Sequence, residues 1–95
     1  MVDWKRIEII TGPDAEAHIK KHGVSISEVF NVLNGITYSR KTSYARETRY
    51  TVLGDSHGRI LMLVLVQQST QSFYLLTAYE PTDGYKKLYR ERCKT

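Results

Sequence analysis

The stretch Arg46 to Val66, RETRYTVLGDSHGRILMLVLV, constrains the fold more than any other part of the chain. Two runs rich in β-branched, aromatic and aliphatic residues flank Asp55-Ser56-His57-Gly58, a turn-forming set, which is how an antiparallel hairpin reads in sequence. The second arm, Ile60 to Val66, is apolar on both faces and needs cover on both. A lone hairpin is marginal in water, so the remaining residues must supply further strands and a helical layer.

The flanking sequence supplies both. Arg6 to Thr11 alternates polar and apolar residues before Gly12-Pro13, which predicts a short first strand, with Trp4 capping an edge of the core. Pro13 to His22 predicts a helix: Pro in the first turn, Asp14 and Glu16 near the start, Lys20, Lys21 and His22 near the end, then Gly23. Ala15, Ile19 and His18 are its expected inner stripe. Ser25 to Asn34 carries the sharpest local signal, Ser25-Ile26-Ser27-Glu28, which fits a capping box, with Val24 and Val29 placed as a hydrophobic staple. Ile36 to Lys41 predicts a strand, Thr42 to Ala45 a loop, Ser72 to Tyr79 a last strand and Thr82 to Arg92 a last helix. The expected order is β-α-α-β-β-β-β-α in one α+β domain, since 95 residues fit one core and not two.

Register arithmetic then assigns faces. A four-residue turn sets Gly54 opposite Arg59, Val52 opposite Leu61 and Tyr50 opposite Leu63. Leu65, Tyr74, Leu76 and Ala78 continue that apolar face. The other face holds Glu47, Arg49, Thr51 and Leu53, then Met62 and Val64, then Leu75, Thr77 and Tyr79. Arg59 falls at a rim, ~16 Å along the strand from Arg49.

Composition narrows function only slightly. The formal charge is +4, which favours a polyanionic partner such as nucleic acid or an acidic protein. The longest apolar run is far too short to span a bilayer and no signal peptide is evident, so a cytoplasmic protein without membrane contact is expected. Cys93 is the single cysteine, with no disulfide or Cys-based metal site to join. His18 and His22 lie four apart with no third ligand in view, so neither a metal nor any other cofactor is expected.

Several segments together resemble one family. Lys21-His22-Gly23-Val24-Ser25 followed by Glu28-Val29, Arg49 ahead of Gly54, Gly58-Arg59-Ile60-Leu61, Leu75-Leu76-Thr77-Ala78 and a basic, Tyr-containing C-terminal segment resemble the BrnT-like toxins, part of the wider RelE-like group of toxin–antitoxin ribonucleases. The resemblance runs from about Ile9 to Arg92. It implies a small antiparallel sheet of about four or five strands, two N-terminal helices on one face and a C-terminal helix. It also implies metal-independent RNA cleavage through the 2′-hydroxyl, with RNA and a cognate antitoxin protein as partners; oligomers are compatible with it. In that family an arginine follows Ser/Thr-Ala in the last strand, where this chain has Tyr79. The alternative is therefore a catalytically inactive RelE-like domain that binds protein or nucleic acid.

Metal-free RNA cleavage needs a base near the 2′-hydroxyl, a cation for the phosphorane and an acid at the leaving oxygen. Arg49 is the expected cation, Tyr79 a proton donor and His22 a group titrating near neutrality. Each has a plainer reading: Arg49 as an ion-paired strand residue, Tyr79 as the edge of the core, His22 as a helix cap. Arg40, Lys41, Arg46 and Arg59 are the expected RNA contacts, the first three interleaved with Tyr38, Tyr44 and Tyr50 as stacking rings. Lys86, Lys87, Arg90, Arg92 and Lys94 read as a solvated helix face.

Overall fold

The computed structural model describes residues 2–93. Its elements follow the expected order: β1 (Glu8–Ile10), α1 (Pro13–Lys21), α2 (Ile26–Asn34), β2 (Thr37–Tyr44), β3 (Glu47–Ser56), β4 (Arg59–Gln67), β5 (Ser72–Tyr79) and α3 (Asp83–Arg92). The strands form one five-stranded sheet in the order β1-β5-β4-β3-β2. The sheet is mixed, not purely antiparallel, because β1 runs parallel to β5. The reason is topological: α1 and α2 carry the chain from β1 at one edge to β2 at the other, and the meander β2 to β5 then returns antiparallel.

Helix boundaries follow local chemistry. At α2 the Ser25 hydroxyl accepts from Glu28 N at 3.3 Å while Glu28 Oε1 accepts from Ser25 N at 3.2 Å, completing the capping box. At the end of α1, Gly23 N donates to Lys20 O and Val24 N to Ile19 O, with Gly23 at φ 74°. That pair of bonds with a left-handed glycine is a Schellman stop, and it makes His22 the C-cap residue. Ile19 and Val24 are both buried, supplying the apolar contact that accompanies this motif.

The central hairpin is tighter than expected. Ser56 pairs with Arg59, Gly54 with Leu61 and Tyr50 with Leu65, so the turn is only His57-Gly58 and the register moves by two residues. His57 at φ 52° and Gly58 at φ 89° match the left-handed two-residue turn that suits the strand twist, and Asp55 Oδ2 accepts from Gly58 N. A shift of two preserves side-chain parity, so Tyr50, Val52, Leu61, Leu63 and Leu65 keep the inner face. There they meet Ile19, Val29, Val32 and Leu33 from the helices and Val24 from the junction between them in one core.

The last strand departs from its expected facing. Leu65 pairs with Leu75 but Val64 with Thr77, leaving Leu76 as the extra residue of a β-bulge. Phe73 and Leu75 therefore enter the inner core, fully buried, while Tyr74 and Leu76 are only half-buried. After the bulge the parity returns, so Ala78 is inside and Thr77 and Tyr79 lie on the outer face, as expected. Leu53 and Met62, expected on an open face, are buried. On that side Arg92 of α3 lies over the Tyr38 ring and Tyr89 Oη donates to Ile36 O at 2.8 Å, so α3 closes the outer face near the central turn.

β2 extends three residues beyond its expected end, and its connection to β3 is only Ala45-Arg46. Ala45 sits at φ 54°, where a Cβ crowds the carbonyl at a cost of ~1–2 kcal/mol. Part of that is offset by the larger unfolded-state entropy of glycine. Ala45→Gly is thus expected to stabilise the fold by about 0.5–1 kcal/mol, read as a higher urea midpoint. A midpoint at or below the parent's is the contrary result.

Candidate functional site

β1 pairs with β5 only from Ser72 to Tyr74, so the second half of β5 has no strand on its outer side. α1 packs beside that stretch, and Asp14, Ala15 and His18 line a shallow depression with Tyr74, Leu75 and Leu76. His18, expected in the buried stripe of α1, is exposed at this edge. One turn later lies His22, its ring centroid 5.0 Å from that of His18. The His22 ring is in turn 5.9 Å from Tyr79. Tyr79 reaches this place because the Leu76 bulge turns it to the outer face, where its hydroxyl donates to the Met62 sulfur at 3.0 Å.

Two of the three expected reacting groups, His22 and Tyr79, are therefore brought together. Arg49 is not. It pairs with Val66 whereas Tyr79 pairs with Met62, so the two are ~16 Å apart, from four residues along β4 and two strands across. The Arg49 guanidinium is 3.0 Å from Glu47 Oε2 and 4.6 Å from the centre of the Tyr44 ring. That is the plainer reading of Arg49.

The expected RNA contacts do not form one patch either. Arg40 is exposed on the outer face opposite Thr51, but Lys41, one residue on, points to the inner side with Tyr50. Alternation along the strand makes this unavoidable. Arg46 sits in the turn between β2 and β3. Arg59 lies seven residues along β4 from the partner of Arg49, ~23 Å and not ~16 Å, because the turn is shorter. Of the basic C-terminal set, Lys94 lies outside the described residues; Lys87 and Arg90 are exposed.

Arg59 is held by its own chain at all three guanidinium nitrogens. Nη2 donates to Gly23 O at 2.8 Å, Nη1 is 3.3 Å from Glu28 Oε2, and the buried Nε is 3.3 Å from Glu80 Oε1. The last contact lacks hydrogen-bond angles and is an ion pair. Glu80 also receives Lys86 of α3, and the hydrogen bond and charge of Lys86, with a smaller contribution from Arg59, hold its carboxyl below the usual range. Burial acts in the opposite sense and loses. Sequence reasoning did not anticipate this network, since Glu28, Arg59 and Glu80 are distant in the chain. His18 was legible in principle, because residues four apart share one face of a helix.

The chemistry within reach is that of two adjacent imidazoles and a phenol at an open edge. Among the described residues, no group of three or more His, Cys, Asp or Glu gathers to hold a metal ion, and no helix is long and apolar enough to cross a membrane. Compared with known proteins, the chain matches no family model, no curated relative and no solved structure.

Proposed function

We propose that this domain is a metal-independent endoribonuclease of the toxin type, cutting RNA through its 2′-hydroxyl and restrained by a cognate antitoxin protein. The observation that carries the reading is the consecutive contact of His18, His22 and Tyr79 at the open edge of β5. One imidazole takes the 2′-hydroxyl proton as that oxygen attacks phosphorus. The bond from phosphorus to the 5′-oxygen breaks, and the leaving oxygen takes a proton from Tyr79. The products are a 2′,3′-cyclic phosphate and a 5′-hydroxyl. Arg40 and Arg49 on the outer face serve flanking phosphates electrostatically.

The test is cleavage of a single-stranded RNA by purified protein in EDTA. The parent is expected to cut, and His22→Ala and Tyr79→Phe each to lose ~10²-fold or more, the usual weight of a general acid or base. Intact RNA with the parent, or a His18→Ala/His22→Ala double variant as fast as the parent, would overturn the reading.

A second reading, a binding module without chemistry, draws support from Arg49. The guanidinium expected to neutralise the phosphorane is held by Glu47 and Tyr44, away from Tyr79. RNA retained by the parent without any cleavage is the outcome that selects it.

A further inference from the structure

The geometry points to Arg59 as the positioning residue that sets His22 and Tyr79 against each other. Its guanidinium is one rigid plane whose three nitrogens engage three separate segments: Gly23 through its carbonyl, Glu28 and Glu80 through their carboxylates. Gly23 follows His22 directly, and Glu80 follows Tyr79 directly. Each ring is thus one residue from an atom held by the same plane. Glu28 extends the hold, since its other oxygen caps α2 at Ser25 N, 3.2 Å away.

A planar fork is what such a clamp requires. A lysine at this position presents one compact charge and cannot hold all three directions at once. Without the clamp, Glu28 and Glu80 repel each other at close quarters and the His22-Gly23 peptide loses its outside anchor. The contact between the two rings, which has no hydrogen bond of its own, then loosens. The consequence for cleavage rests on the proposed function, but the clamp itself does not.

Nuclear magnetic resonance on the full chain tests it, with the cross-relaxation between His22 and Tyr79 ring protons as readout. The rings of Trp4, Tyr50 and Phe73 at the far end of the sheet report whether the fold persists. Arg59→Met is expected to weaken the His22–Tyr79 signal about threefold or more with the far cluster unchanged, and Arg59→Lys to recover part of it. Cleavage is expected to fall about tenfold or more in parallel, because small misplacements of reacting groups are costly. An Arg59→Met variant with parental His22–Tyr79 signal overturns the clamp. If Arg59→Met does not fold, Glu80→Gln decides beside Lys86→Met, which removes the Lys86 pair but leaves the Arg59 arm: a signal weakened by Glu80→Gln and not by Lys86→Met supports the clamp, and any other pattern overturns it. If the signal depends on Arg59 while the parent leaves RNA intact, the clamp stands and the ribonuclease reading falls.

Discussion

Phe73→Ala is expected to cost about 3–5 kcal/mol, a third to a half of the stability of an ordinary small domain. Phe73 is fully buried, and its ring lies 5.1 Å from Trp4 and 5.7 Å from Tyr50, which are themselves 5.2 Å apart. Removing the ring loses its transfer free energy, leaves a cavity between two large neighbours that collapse poorly, and deletes two aromatic contacts. Trp4 is held there by this packing and by one long hydrogen bond, Nε1 to Ser39 Oγ at 3.4 Å. It is the only tryptophan, so its fluorescence reports directly on the damaged region during urea unfolding. Phe73→Leu keeps most of the volume and is expected to lose only roughly 1.5 kcal/mol. A loss below about 1 kcal/mol for the alanine variant would show that the three rings are not a shared packing unit.

Gly54→Ala is expected to destabilise by about 1–3 kcal/mol although it adds a single methyl group. A Cβ at Gly54 would stand 2.5 Å from Val32 Cγ1, with Val32 Cβ and Val32 O each 3.3 Å away. Val32 is fully buried in α2, and Gly54 lies on the inner face of β3, so the helix rests directly on the strand backbone here. The helix must lift or the strand must bend. Val32→Ala removes the worst of the overlap, so the double variant is expected to be more stable than the sum of the two losses by about 1 kcal/mol. Additivity within about 0.3 kcal/mol in a double-mutant cycle would mean that the methyl is accommodated some other way.

These two sites differ in how far they could be read from the chain. Gly54 is the residue at which β3 nears its turn, and nothing local distinguishes a glycine needed for a helix overhead from one that merely starts a loop. The burial of Phe73 depends on the extra residue at Leu76, which nothing local announces. A strand's facing is set by counting residues, and one unpaired residue inverts the count for everything before it. The same bulge is why the expected facing holds for Thr77, Ala78 and Tyr79 and fails for Tyr74, Leu75 and Leu76. The central turn shows the complementary case: an error of two residues left every facing intact and altered only distances along the strand.

The candidate site was legible to a similar degree. His22 and Tyr79 stand out by residue type and position, His18 faces the solvent side of its helix instead of the expected inner stripe, and Arg49 lies beside Glu47 and Tyr44, two strands away from Tyr79. Arg40 and Lys41, both expected at the RNA as cations interleaved with tyrosines, are neighbours in a strand and therefore face opposite sides.

What the sequence by itself determined is what short-range chemistry decides: the order of the elements, the capping box at Ser25, the glycine stop after His22, and the apolar inner face of the central hairpin. Backbone hydrogen bonds at helix ends and the alternation of side chains need no distant partner. The tertiary structure alone decided the parallel docking of β1, the bulge at Leu76, the meeting of His22 with Tyr79, and the three-way hold of Arg59. Each depends on segments tens of residues apart, whose contact becomes favourable only once the shared core has brought them together.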